Sequence, residues 1–239
     1  MSVICRVAVV PTPPLLVPEL AAGAAEETAP VRDACLAAVR AVASECGKWI
    51  AVGAGRTPTE IGAGARGSFR GYGVDVPVTL SGDDVRDPRE KSVALPLPAL
   101  VAGWLRERAD AASVRVRVLD QALPRAACVG LGHRLGEDED GVGLLILGDG
   151  SNRHGPRAPG GEDERATGFD AAVSAALGSG DVDGLLALDV TLAGELGASG
   201  RAPWQVLAGL VGSARWRAEL VYSGSPLGVG YHVAVWERQ

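Results

Sequence analysis

Short apolar runs alternating with helix-patterned segments confine this chain to a layered α/β architecture. Val142 to Leu147 is a glycine-bounded apolar run of the length expected for a central strand buried on both faces. Val3 to Val10 is a β-branched run closed by Pro-Thr-Pro-Pro, which suits a buried strand feeding a rigid loop. Trp49 to Val52, Tyr72 to Leu80 and Val114 to Leu119 read as further strands. Between them, Val31, Ala34, Cys35, Ala38, Val39 and Val42 recur at helical spacing, with Pro30 in the first turn and Gly47 as the stop. Leu100, Val101, Trp104 and Leu105 mark a helix starting near Pro98, and the segment from Pro124 to Leu135 leans helical. Strands separated by helices predict a three-layer α/β/α fold around a central mixed sheet.

The second half turns helical after the loop from Gly148 to Gly161. Phe169, Ala172, Val173, Ala176 and Leu177 form one piece, Leu185 to Leu188 another and Trp204 to Leu210 a third, punctuated by Gly178, Gly180, Gly197 and Gly200. Arg217 to Tyr222 and Gly228 to Trp236 predict a closing hairpin at the sheet edge. The Glu137–Asp140 acidic run reads as a solvated turn. With no repeat, low-complexity tract or linker, residues 1–239 read as one domain.

Composition narrows the function classes. A formal charge of −6, with no concentration of Lys and Arg, argues against nucleic acid as a partner. The apolar N-terminal run lacks a basic leader and is cut by Pro11 to Pro14, and no other apolar stretch approaches the ~20 residues of a membrane span. A soluble, cytoplasmic protein without membrane contact is expected. Cys5, Cys35, Cys46 and Cys128 lie far apart with no Cys-x-x-Cys pair, so they read as reduced packing residues.

Three loops at predicted strand ends could carry chemistry: Pro11 to Glu19, Gly53 to Pro58 and Gly148 to Gly155. Gly53-Ala54-Gly55 opens like a dinucleotide fingerprint, but Pro58 stands where the third glycine belongs. The third loop packs Asp149, Ser151 and His154 into six residues, the side-chain types of a nucleophilic hydrolase. Its flanks miss the nucleophile-elbow pattern, and neighbours on one loop rarely converge as a triad must. His133, His154 and His232 show no metal-ligand spacing.

Several segments together resemble the class III extradiol ring-cleavage dioxygenases of the LigB-like family. Thr12-Pro13-Pro14-Leu15-Leu16-Val17-Pro18-Glu19 is similar to that family's His-Pro-Pro-Leu-Leu loop, and Gly148-Asp149-Gly150-Ser151-Asn152-Arg153 to its Gly-Asp-Leu-Ser-His-Arg motif. Phe169-Asp170-Ala171-Ala172, Ser179-Gly180-Asp181 and Leu186-Ala187-Leu188-Asp189 resemble its helical stretch, and Tyr222 to Tyr231 its closing hairpin. The resemblance implies a ferrous iron held by two histidines and a carboxylate with open positions for catechol and dioxygen, and a further histidine as acid and base.

Measured against that pattern, Thr12 stands for the first ligand histidine and Asn152 for the acid/base histidine. The loop after Val52 has no histidine, and Gly200-Arg201-Ala202-Pro203 supplies no carboxylate. The resemblance therefore implies a retained fold without Fe(II) chemistry and with no expected cofactor; Fe(II) would be the cofactor only if the ligands lie elsewhere. A pseudoenzyme binding a small molecule or a protein partner is the expected function, with self-association open. The alternatives are a divergent dioxygenase with a non-standard metal site and a hydrolase using Asp149, Ser151 and His154. The expected cleft is lined by Thr12, Pro13, Glu19, Asp149, Ser151, Asn152 and His154, with Asp149 held by N–H groups of its own loop.

Overall fold

The structure, a computed structural model, describes residues 4, 6–82, 94–138, 141–212 and 215–239. In chain order the principal elements are β1 (Arg6–Val10), α1 (Pro18–Ala21), α2 (Ala25–Ala43), β2 (Lys48–Gly55), β3 (Thr59–Ile61), β4 (Arg66–Ser68), β5 (Pro77–Thr79), α3 (Leu97–Arg108), β6 (Ser113–Asp120), α4 (Arg125–Asp138), β7 (Gly143–Leu147), α5 (Arg165–Ser179), α6 (Val182–Leu186), α7 (Val190–Glu195), α8 (Arg201–Val211), β8 (Trp216–Gly224) and β9 (Tyr231–Arg238).

Among the described residues, seven strands form one mixed sheet in the order β3-β6-β2-β7-β1-β9-β8. β6, β2, β7 and β1 are parallel, β3 on one side and β9 on the other run antiparallel to them, and the edge strand β8 reverses again beside β9. The runs read as strands around Val3 to Val10, Trp49 to Val52 and Val142 to Leu147 are neighbours: Ile50 of β2 and Val7 of β1 both align with Leu144 of β7. Helices cover both faces, giving the three-layer α/β fold.

The strand pleat divides the core. Val7, Val9, Leu144 and Ile146 face Phe169, Val173, Trp204 and Leu207 from α5 and α8. Their alternates Ala8, Val10, Leu145 and Leu147 face Val31, Cys35 and Val39 of α2 and Leu100 and Trp104 of α3. β7 is buried at all five positions, so both faces must be apolar, which is why the sequence reads as a continuous run rather than an alternation.

The ambiguous segment before β7 is the helix α4, and it packs on α8 by close backbone approach. A Cβ on Gly132 would lie 2.2 Å from the Val206 carbonyl oxygen, and one on Gly209 would lie 2.5 Å from that of Val129. Cys35, Cys46 and Cys128 are buried thiols, in keeping with a packing role; Cys5 lies outside the described residues.

Several local expectations need correction. Tyr72 to Leu80 is not a strand of the main sheet. A 3-10 turn over Phe69–Tyr72, closed by Gly73 at φ 106°, breaks it, and only β5 remains, paired with β4 in a separate two-stranded sheet. Pro30 lies inside α2, five residues after its start, rather than in the first turn. The acidic run opens inside α4, whose last residues are Glu137 and Asp138; residues 139 and 140 lie outside the described residues. Gly53 and Gly55 belong to β2, so the expected loop contracts to the Arg56–Pro58 turn. Both glycines serve packing: a Cβ on Gly53 would lie 2.6 Å from Pro98 Cβ, and one on Gly55 2.9 Å from Val118 Cγ1. Among the described residues, no helix is long and apolar enough to cross a membrane.

Candidate functional site

The parallel strands β1 and β7 end side by side, which brings the Pro11–Pro14 loop to the loop after Leu147. Thr12 is buried there, and it donates twice to Asp149: its backbone N–H to Oδ1 at 2.7 Å and its hydroxyl to Oδ2 at 3.1 Å. Asp149 in turn donates its own N–H to Ser199 Oγ at 2.9 Å. The side-chain donors of Asp149 thus come from the neighbouring loop, not from its own. Proline fixes the backbone around Thr12 and aims its N–H across the gap, so the partner loop reaches the carboxylate first.

Asp149 keeps some solvent contact but is closely enclosed by protein. Burial pushes its carboxyl up to about 6, against the two Thr12 bonds and the nearby positive charge of His232, which favour the ionised form. On the α2 side, burial raises the Cys35 thiol and the Tyr231 phenol, and the Asp149 charge adds to both.

A second polar cluster centres on Asp170 of α5, which is buried. Its Oδ2 lies 2.5 Å from His154 Nε2, its Oδ1 lies 3.2 Å from His232 Nε2, and the Ser151 N–H reaches both oxygens at 3.2 and 3.1 Å. His232 Nδ1 lies 3.0 Å from Ser223 Oγ, and the Trp204 ring stands edge-on to the imidazole at 6.1 Å. A carboxylate this deep in the protein is tolerable because every oxygen is met by a donor. The backbone makes room for it: the Gly150 N–H donates to the Gly230 carbonyl and the Gly230 N–H to the Ser151 carbonyl, both at 2.7 Å. A Cβ on Gly150 or Gly230 would fall 2.2 or 2.0 Å from a carboxylate oxygen of Asp170.

The residues expected in one cleft therefore divide. Thr12 and Asp149 pair, with Pro13 buried beside them, whereas Glu19 is exposed on α1. Ser151 is fully buried; its hydroxyl donates to the Leu196 carbonyl at 3.2 Å and accepts from the Arg153 N–H. Asn152 donates its N–H to the same carbonyl, and its side chain lies over Gly160 and Gly197, where a Cβ would come within 2.2 and 2.5 Å of Oδ1. Asp149, Ser151 and His154 form no relay: each has a different partner, and a nucleophile needs its hydroxyl on the base.

Sequence reasoning missed Asp170, His232, Ser223 and Ser199. Their one legible signal is the scarcity of histidine: of three in the chain, two converge on one carboxylate.

The positions matched to iron ligands are occupied differently. Thr12 is engaged by Asp149, and Arg201, at the head of α8, is buried. Its guanidinium donates to the Gln121 carbonyl, to the Leu123 carbonyl at 2.6 Å and to Gln205 Oε1 at 3.1 Å. A hydroxyl and a guanidinium do not make the donor set of Fe(II), which takes imidazole and carboxylate. Among the described residues, no group of three or more His, Cys, Asp or Glu is arranged to hold a metal ion.

No protein-family model matches the chain, and no curated protein matches it. Among solved structures, an uncharacterized protein from Escherichia coli K12, JW3007, is similar over 98% of this chain and 99% of that one, with a TM-score of 0.54 and 14% identity. At that identity the likeness speaks to the fold alone.

Proposed function

We propose that this chain is a class III extradiol dioxygenase-like protein that has lost Fe(II)-dependent ring cleavage and works as a binding protein at the strand-end edge of its sheet. The reading rests on one observation above the others. Thr12, matched to a ligand histidine, gives both its donors to Asp149. A metal there would have to displace a two-point hydrogen bond and then bind a hydroxyl, a poor ligand beside imidazole. A carboxyl shifted as far as that of Asp149, at the mouth of a sheet edge, is the kind of group that binding sites retain.

The test is iron loading followed by oxygen uptake. Protein incubated with Fe(II) under anaerobic conditions and desalted is expected to carry far less than one iron per chain and to consume no oxygen with catechol or protocatechuate. One retained equivalent with ring-cleaved product would overturn the reading.

Single restorations are expected to fail as well. Thr12→His or Asn152→His supplies one imidazole, but the site remains short of a second ligand histidine and a carboxylate, and a facial triad binds as a set. The readout is the yellow ring-cleavage product of either variant; its appearance would mean that the remaining ligands lie elsewhere.

A further inference from the structure

His154 does more than cap Asp170. It also lines a cleft of about 490 Å³ walled by Glu27, Arg157, Ser225, Leu227 and Gly228, a volume within the range of small-molecule sites. Thr12 and Asp149 do not line it, so it lies beyond the edge considered above.

Its walls are sewn together rather than loosely apposed. The His154 N–H donates to the Gly228 carbonyl at 3.1 Å, and Glu27 Oε1 accepts the Leu227 N–H at 3.2 Å. Leu227 sits at φ 57°, a left-handed conformation that bulky residues adopt only when the surroundings impose it. A Cβ on Gly228 would lie 2.7 Å from Ala158 Cα, so the two loops are in contact along one wall. A concavity held this way is formed before any ligand arrives.

The chemistry on its walls is uneven. Asp170 takes His154 Nε2 and thereby orients the ring, leaving Nδ1 as its remaining hydrogen-bonding atom. Among the described residues, no hydrogen bond or ion pair engages Nδ1 or the Arg157 guanidinium. Glu27, already turned to the hairpin, supplies a negative charge on another wall. An unpaired guanidinium suits a planar or tetrahedral anion, while an imidazole nitrogen and a carboxylate suit a hydroxyl or an amine.

We propose that this cleft binds a small metabolite pairing an anionic head, carboxylate or phosphate, with a hydroxyl or amine, with Arg157 holding the head and His154, set by Asp170, holding the donor. The proposal goes beyond the loss of ring cleavage and does not depend on it: iron content and oxygen uptake bear on that reading alone.

The chain has only three histidines, so the full-length protein gives three imidazole Cε1–H resonances that can be assigned by substitution. Titration with L-malate and with glycerol 3-phosphate distinguishes the two heads. A saturable shift of the His154 resonance is expected with at least one of them, with Kd in the millimolar range or tighter and His133, on exposed α4 surface, unmoved. Arg157→Ala, at an exposed position that leaves the fold intact, is expected to weaken that binding about tenfold or more. Failure of both ligands to saturate the His154 shift, or unchanged affinity in Arg157→Ala, would overturn the proposal.

Discussion

Gly230→Ala is expected to cost about 3 kcal/mol or more of folding stability, a drop of about 10 °C in Tm for a chain of this size. The added Cβ would stand 2.0 Å from Asp170 Oδ2 and 2.7 Å from its Cγ. Gly230 has no positive φ, so the penalty is steric rather than conformational. Neither party can yield cheaply. The Gly230 backbone is bonded on both sides, to Gly150 and to Ser151, and the carboxylate is held by two imidazoles and the Ser151 N–H. A double-mutant cycle separates this clash from general loop damage. Asp170→Ser alone is destabilising, because it strands buried donors. In that background the Gly230→Ala penalty should shrink by more than about 1 kcal/mol, the coupling expected of groups in direct contact. Chemical denaturation of the four proteins is the measurement, and a Gly230→Ala protein as stable as its parent would refute the packing described.

The second large effect is a pH dependence set by Asp149. Its carboxyl is raised from 3.8 to about 6 in the folded protein, chiefly by burial. Between about pH 4 and pH 6 the unfolded chain has lost this proton while the folded chain still holds it, so stability falls as pH rises through that window. The loss amounts to at most about 3 kcal/mol and is complete above the folded pKa. Asp149→Asn keeps the shape and can still pair with Thr12, its Oδ1 accepting the N–H and its amide donating to the hydroxyl, but it has no proton to lose. The variant is therefore expected to gain on the parent steadily from pH 4 to pH 7 and to exceed it at neutral pH. Urea melts of both proteins at several pH values measure this. A constant difference across the window would show that Asp149 titrates at its ordinary value.

The Asp149 and Asp170 clusters meet through His232, whose ring bonds Asp170 and whose charge acts on Asp149. Substitution in one cluster should therefore be felt in the other.

The element types were legible in the chain because they depend on neighbours in sequence. Five consecutive apolar residues in β7 require burial on both faces whatever lies beside them, and the 3.6-residue spacing of Val31, Cys35, Val39 and Val42 makes one apolar stripe. Proline and glycine placed the start of α3 and the close of β8 with similar economy. Local pattern failed where close packing overrode it: the apolar and glycine residues of Tyr72 to Leu80 alternate like a strand, yet the turn at Gly73 leaves only three residues to pair.

The sequence alone thus determined that strands and helices alternate in layers, and it singled out Thr12 and Asp149 as residues that strand order would bring together. Only the tertiary structure decided which partner each polar group takes. Asp170 meets His154 and His232, 16 and 62 residues away, because α5, the loop after β7 and strand β9 converge at one sheet edge. Hydrogen bonding is selective over tenths of an ångström and a few tens of degrees, whereas sequence spacing constrains position only within a turn or a strand. A serine, a histidine and an aspartate on one loop could share a proton path on paper; in the folded chain each is already bonded to something else.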